Sequence, residues 1–284
     1  MSVIVGIDVG GSTTKIVAFK EEGGVRRLIE PQLVRANDPV TATYGAFGKF
    51  TDENGLKIQD ITRVMMTGVG SSHVKHNLYG LDCRKVEEFN CIGTGGLYLS
   101  GLDEALVVSM GTGTAMVHSR RGGTMKYLGG TGVGGGTLLG LTKLLTKAES
   151  SKHIADLAAR GDLEKIDLRI KHMTASNSLS ALSRELTASN FGRVSDIATG
   201  EDVALGVMNM VFETVGMVSV FAARSVGVKE IVLTGNVTQF AYCKEKFDSI
   251  NDLGYGVHFS IPERSRFATV IGAALHGFGE EGVQ

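Results

Sequence analysis

Apolar residues follow two rhythms along the chain. Residues 3–9 form a β-branched run that ends in glycine, and residues 15–20 alternate apolar and polar positions. Both predict strands, and the Gly10-Gly11-Ser12-Thr13-Thr14 turn between them predicts a hairpin. A helix is predicted over 39–50, with Asp38 as N-cap and Pro39 at its first position. A strand at 61–67, a short helix at 71–79 and a helix at 88–99 follow, the last weakened by Gly93, Gly95 and Gly96. A fresh apolar strand at 105–110 runs into Gly111-Thr112-Gly113-Thr114, and strands at 115–118 and 124–128 continue it. Helices are predicted at 136–146, at 152–160 and, long and rich in Met, at 203–226. A strand at 229–233 leads to Gly235-Asn236, and a helix at 266–277 closes the chain.

Each half therefore begins with a strand, a Gly/Thr turn and further strands, and continues into helices. This echo predicts an α/β protein of two related lobes, 1–102 and 103–284, with a cleft between them. A length of 284 residues suits two such lobes. With 29 Lys+Arg against 30 Asp+Glu the formal charge is −1, which excludes a strongly basic nucleic-acid binder. No run of about 18 apolar residues is present, so no membrane span is expected. The first strand starts at once, with no basic leader ahead of it, so no signal peptide is expected. Cys83, Cys91 and Cys243 fit neither a metal knuckle nor a redox pair, and a reduced, cytoplasmic protein is the simplest reading.

Glycine changes the picture, because its 39 copies cluster in short runs where backbone can approach a ligand closely. In Asp8-Val9-Gly10-Gly11-Ser12-Thr13-Thr14-Lys15, an acidic residue leaves a strand and the turn adds two glycines, three hydroxyls and a cation. Converging backbone N–H groups there can hold phosphate oxygens, and Asp8 can hold a divalent metal. The same residues also suit an ordinary glycine-rich hairpin, with Lys15 facing solvent. Thr112 and Gly113 repeat this grammar in the second half. The third cluster, residues 129–136, enters a helix, whose N-terminus at Gly134, Gly135, Gly136 and Thr137 offers N–H groups to an anion. It contains Gly130-x-Gly132-x-x-Gly135, a formal dinucleotide fingerprint, with Asp156 near the spacing of its acidic partner but inside a predicted helix. The phosphate-loop motif Gly-x-x-x-x-Gly-Lys-[Ser/Thr] is absent. Gly235-Asn236 suits either a turn over an adenosine or a plain strand-to-helix turn.

These turns, in this order, resemble the ATP-binding fold of actin, Hsp70 and hexokinase, which implies two ribonuclease H-like lobes around an ATP cleft. The resemblance narrows with three further segments. Residues 86–91 (Val-Glu-Glu-Phe-Asn-Cys) are similar to the acidic segment of type II pantothenate kinases, 129–141 to their glycine-rich stretch, and 186–192 (Leu-Thr-Ala-Ser-Asn-Phe-Gly) to their Leu-Thr-Ala-x-Asn-Phe-Gly segment. The match runs from residue 3 to about 277.

The resemblance implies phosphorylation of pantothenate's primary hydroxyl by ATP with Mg²⁺, the first step toward coenzyme A, in a homodimer with a long interface helix. It implies Glu88 as general base, Asp8 as metal ligand, the Gly/Thr turns as phosphate holders, and Tyr127 and Thr131 as substrate contacts. Acyl-CoA is an implied feedback ligand. The sequence departs from the family at Tyr127, where an Arg is the rule, and at Asn90, where many members have Asp. Two alternatives stand beside this reading: a kinase of the same fold for another small alcohol or pantetheine-like compound, and a low-turnover ATP- or CoA-binding subunit. Dehydratase activators share the fold but need interface cysteines, which Cys83 and Cys91 do not supply in a Cys-x-x-Cys pattern.

Overall fold

The computed structural model describes residues 2–11, 13–35, 38–74, 76–173 and 183–279, so Ser12 lies outside the described residues. The first sheet has the order β3-β2-β1-β4-β5. Its strands β1 (Ser2–Val9), β2 (Thr14–Glu22) and β3 (Val25–Val34) form an antiparallel meander. Strands β4 (Ile61–Thr67) and β5 (Cys83–Lys85) add in parallel to β1. Helix α1 (Pro39–Glu53) covers one face, capped by Asp38, whose Oδ1 accepts from Thr41 N at 2.6 Å. Helix α2 (Glu88–Ser100) leads out of this sheet.

The second sheet repeats that plan. Strands β6 (Glu104–Met110), β7 (Thr114–Arg120) and β8 (Lys126–Thr131) form the meander. Helices α3 (Gly135–Thr146) and α4 (Ser151–Ala158) follow, then a small excursion of β9 (Leu168–Arg169), the single turn α5 (Ile170–Met173) and β10 (Thr187–Ser189). The long α6 (Gly200–Ser225) returns the chain to β11 (Glu230–Thr234), which lies parallel to β6. Then come α7 (Ala241–Asn251), β12 (His258–Ser260), parallel to β11, and α8 (Ala268–Leu275). The order β12-β11-β6-β7-β8 is that of the first sheet. The expected pair of ribonuclease H-like lobes is present.

The helices of the inner layer do not respect the boundary at residue 102. Helix α2 packs through Ile92 and Leu97 on Val107, Val117 and Val232 of the second sheet. Helix α8, from the far end of the chain, packs through Val270, Ile271 and Ala274 on Val17 and Phe19 of the first. The two helices cross where a side chain cannot fit. A Cβ at Gly95 would lie 1.8 Å from the Ala268 carbonyl oxygen, and one at Gly272 would lie 1.9 Å from that of Cys91. The glycines that weakened the helix prediction are thus what lets the lobes close on each other.

Several elements differ from the sequence expectation. Strand β3 escapes a propensity reading because it contains Pro31. It is an edge strand, and its register with β2 shifts between Ile16 and Ala18, where a proline is tolerated. Among the described residues of 71–79 there is no α-helix, and two 3₁₀ turns stand there instead, Val69–His73 and Leu78–Gly80. Ser, His, Val and Asn dominate that segment and are weak helix formers. Helix α6 begins three residues before the predicted start, in a capping box in which Thr199 N donates to Asp202 Oδ2 at 2.8 Å. Its mean hydropathy and length are those of a membrane span, yet two-thirds of its apolar window is buried within the chain, against the second sheet's outer face. The dinucleotide fingerprint also fails on context. Its first glycine, Gly130, lies within the antiparallel strand β8, and Asp156 lies within α4.

Gly272→Ala is expected to destabilise the protein by at least about 1–3 kcal/mol, the cost of overpacking. Gly140→Ala, on the open face of α3 with no atom within 4 Å of the new Cβ, is expected to stabilise, by roughly 0.5–1 kcal/mol. Urea unfolding of the two variants beside the wild type checks the opposite signs.

Candidate functional site

The turns after β1 and β6 face each other across an inter-lobe cavity of about 520 Å³, a size suited to a small-molecule site. Strand alternation puts Ile4, Gly6 and Asp8 on the inner face of β1. The hairpin register sets Lys15 directly opposite Asp8, and Lys15 Nζ stands 3.8 Å from Asp8 Oδ2. Each residue is 7 % exposed. Burial pushes the Asp8 carboxyl up and the Lys15 ammonium down, and each charge restrains the shift of the other. Gly68, at φ 84°, ends β4 beside this pair, and a Cβ there would lie 2.6 Å from Asp8 Oδ1. A glycine is therefore required for the chain to pass that close to the carboxylate.

Glu88 is the first residue of α2 and lines the same cavity. Val86 N donates to Met66 O at 2.8 Å, which seats the chain on the end of β4 just before the helix starts. Burial raises the Glu88 carboxyl above its ordinary value, the Asp8 charge adds to the rise, and Lys15 opposes it. A helix N-terminus favours the ionised form, but burial prevails here. A half-buried carboxylate with a raised pKa in a cleft is suited to taking a proton from a bound hydroxyl.

Most residues singled out from the sequence meet at this cavity. From the first lobe come Asp8, Gly10, Gly11, Thr13, Lys15 and Glu88, and from the second Thr112, Gly113, Tyr127, Thr131, Gly235 and Asn236. Asn236 Nδ2 points at Thr13 Oγ1 across the lobes at 3.5 Å, and its Oδ1 is buried without a hydrogen-bond partner. Thr14 is not among the lining residues. It precedes Lys15 on β2, so its side chain takes the opposite face. Thr114, the last residue of the second Gly/Thr turn, also lines the cavity, as do Ser109 and Thr269, which were not read from the sequence. Ser109 occupies in β6 the place of Asp8 in β1, so only the internal repeat could have pointed to it.

The glycine-rich stretch needs correction. Gly134, Gly135, Gly136 and Thr137 do not line the cavity; they sit behind the Gly111–Gly113 turn. Gly135 N donates to Gly111 O at 2.9 Å and Gly136 N to Thr112 O at 2.8 Å, so these helix-terminal donors are already used. A Cβ at Gly134 would lie 2.7 Å from the Gly113 carbonyl carbon, and one at Gly130 2.3 Å from the Thr114 carbonyl oxygen. Backbone lies against backbone along this stretch. The glycines make room for the neighbouring turn, and that turn presents Thr112 and Gly113 to the cavity.

Comparison with known proteins gives the family and the fold. Residues 102–259 match the Fumble family. The type II pantothenate kinase of Oceanobacillus iheyensis is 31 % identical over 240 residues, covering 81 % of this chain and 83 % of the relative. The chain belongs to the type II pantothenate kinase family. Another type II pantothenate kinase, from Staphylococcus saprophyticus, is 30 % identical over 82 % of this chain and 84 % of its own. Among solved structures, component A of the Acidaminococcus fermentans (R)-2-hydroxyglutaryl-CoA dehydratase superposes with a TM-score of 0.68 at 18 % identity, covering 100 % of this chain and 99 % of its own. A Streptomyces griseus ROK glucokinase, in complex with glucose and AMPPNP, superposes at 0.62 and 14 % identity, covering 96 % and 98 %. At these identities the likeness concerns the fold alone. Cys91 and Cys243 are buried with thiols pushed up to about 12, and Cys83 is half-buried.

The Tyr127 ring lies flat on Phe89, with centroids 4.0 Å apart and planes 12° from parallel. Phe89 follows Glu88 directly, so the stack buttresses the start of α2 beside the carboxylate.

Lys15→Met leaves the Asp8 carboxylate buried without its partner and is expected to cost about 3 kcal/mol of stability at neutral pH. Adding Asp8→Asn is expected to restore most of that loss in urea unfolding. Equal losses in the single and double variants would show that the pair is not coupled.

Proposed function

We propose that this kinase transfers the γ-phosphoryl group of ATP to the primary hydroxyl of pantothenate, the first step of coenzyme A biosynthesis. The observation that carries the reading is the single cavity in which Glu88, with its raised pKa, faces the Asp8–Lys15 pair between two Gly/Thr turns. Family membership supplies the substrate class.

In this reading Glu88 accepts the hydroxyl proton as the acceptor oxygen attacks the γ-phosphorus. The turn residues Gly11, Thr13, Thr112 and Gly113 position the phosphates from both lobes, and Lys15 offsets their charge. Positioning and charge neutralisation then supply most of the acceleration. Asp8 is the proposed Mg²⁺ ligand. No group of three or more acidic, His or Cys side chains able to hold a metal occurs among the described residues. One carboxylate completed by phosphate oxygens and water fits Mg²⁺, which sheds water reluctantly. Mg²⁺ would neutralise charge on the transferring phosphoryl group. Asn236 and Gly235 are assigned to the adenosine end and Thr131 to the acceptor. A homodimer meeting along the outer face of α6, where Val218 and Phe221 are exposed, and feedback by acyl-CoA complete the proposal.

Glu88→Gln is expected to lower kcat about 10²–10⁴-fold with little change in ATP binding, read by ADP release and by equilibrium nucleotide titration. A base must be ionised to act, so kcat/KM for pantothenate is expected to fall as pH drops through the Glu88 pKa. Because that pKa is raised, the acid limb begins at a higher pH than for an ordinary glutamate. Nucleotide binding with no pantothenate-dependent ADP release at any pH would sink the assignment.

A further inference from the structure

Helix α8 runs into a 3₁₀ turn, His276–Phe278, that is tied to the first sheet. Arg63 Nη1 of β4 donates to Gly277 O at 3.1 Å, and the Phe278 ring meets Phe19 of β2 edge-on, with centroids 6.3 Å apart. A Cβ at Gly277 would lie 2.5 Å from Ile4 Cγ2 of β1, so the turn rests directly on that strand. From this fixed point the His276 ring reaches α2, the helix that begins with Glu88. Its Nε2 lies 3.1 Å from Thr94 Oγ1, and the Asn90 backbone is within hydrogen-bonding reach of the same ring.

A threonine inside a helix commonly bonds back to its own helix. Thr43, Thr51, Thr146 and Thr214 each donate to the carbonyl oxygen four residues before them. For Thr94 that oxygen belongs to Asn90, yet its hydroxyl, on a residue 4 % exposed, bonds with His276. A hydroxyl buried this deeply needs a partner, and here the partner comes from the other helix. Burial pushes the His276 ring below its ordinary pKa, so it is neutral at neutral pH and adds a tie without a charge. The tie matters because of what stands one turn away. No hydrogen bond from a described residue holds the Glu88 carboxylate, so its place depends on the backbone of the first turn of α2.

We propose that His276 is a positioning residue for Glu88. By pinning Asn90 and Thr94 to the anchored end of α8, it holds the first turn of α2, and the Glu88 carboxylate with it, in place against Asp8 of β1 and Lys15 of β2. The inference rests on the proposed function, in which Glu88 is the base.

The test is pantothenate-dependent ADP release as a function of pH, with nucleotide titration beside it, on the wild type and on His276→Leu, His276→Gln, Thr94→Val and the double variant His276→Leu/Thr94→Val. His276→Leu fills the space without the hydrogen bonds and is expected to lower kcat about 10–10²-fold, with little change in ATP binding. A carboxylate freer to reach water titrates lower, so the acid limb of kcat/KM is expected to move down toward that of an ordinary glutamate. Thr94→Val is expected to do the same, and the double variant to be no worse than either single one, as for two residues that act as a unit. His276→Gln still reaches Thr94 with an amide and is expected to recover most of the activity. An acid limb that His276→Leu and Thr94→Val leave in place, or a Gln variant as slow as the Leu variant, overturns the inference and leaves the proposed function standing. A loss of ATP binding as large as the loss of kcat marks a general loss of structure and overturns it as well. A wild type without pantothenate-dependent turnover at any pH overturns both.

Discussion

The molecule depends on one close contact, the crossing of α2 and α8 at Gly95 and Gly272. Helix α2 closes the first half of the chain and α8 the second, and each packs on the sheet built by the other half. Because the crossing brings backbone against backbone, the sheets approach to within two helix layers. That approach sets the carboxyl ends of β1 and β6 opposite each other, and the cavity is the space left between their turns. It also fixes the start of α2 at the cavity wall, which is where Glu88 stands.

The floor of that cavity carries a stability cost. A buried Asp8–Lys15 pair rarely gains in attraction all that it loses in hydration. Its pKa shifts, upward for the acid and downward for the base, record the strain. Such a pair makes sense where a further charge is to arrive, because a dry, preorganised site strengthens every interaction made in it. Glu88 gains from the same dryness, which keeps its proton affinity above that of a solvated glutamate. Local rules of stability are broken at the cavity and obeyed elsewhere, as in the apolar clusters on the outer faces of both sheets.

Glycine serves opposite purposes in the two turn systems. Gly11 is open, with nothing near the place of a Cβ, and leaves the hairpin tip bare toward the cavity. Gly134, Gly135 and Gly136 are closed in by the neighbouring turn and spend their amides on it. The first arrangement leaves the hairpin tip open to the cavity, and the second props up the loop that faces it.

The sequence alone determined many of the elements and most of the residues that line the cavity. Hydrophobic periodicity places both strand–turn–strand units, α1 and α2, because alternation and helical spacing are local properties of the chain. The repeat of strand, Gly/Thr turn and meander made the two-lobe plan legible, and Asp8 and Lys15 followed from their places flanking the first turn. Strand β3 was hidden, because Pro31 is tolerated only by virtue of its edge position. Tertiary structure alone decided which way each side chain and amide points. It turned Lys15 inward and Thr14 away, consumed the amides of Gly135 and Gly136, laid Tyr127 on Phe89, and brought Ser109 and Thr269 to the cavity. These outcomes depend on neighbours far away in the chain, and the distances and burial that decide them exist only once the two lobes have closed.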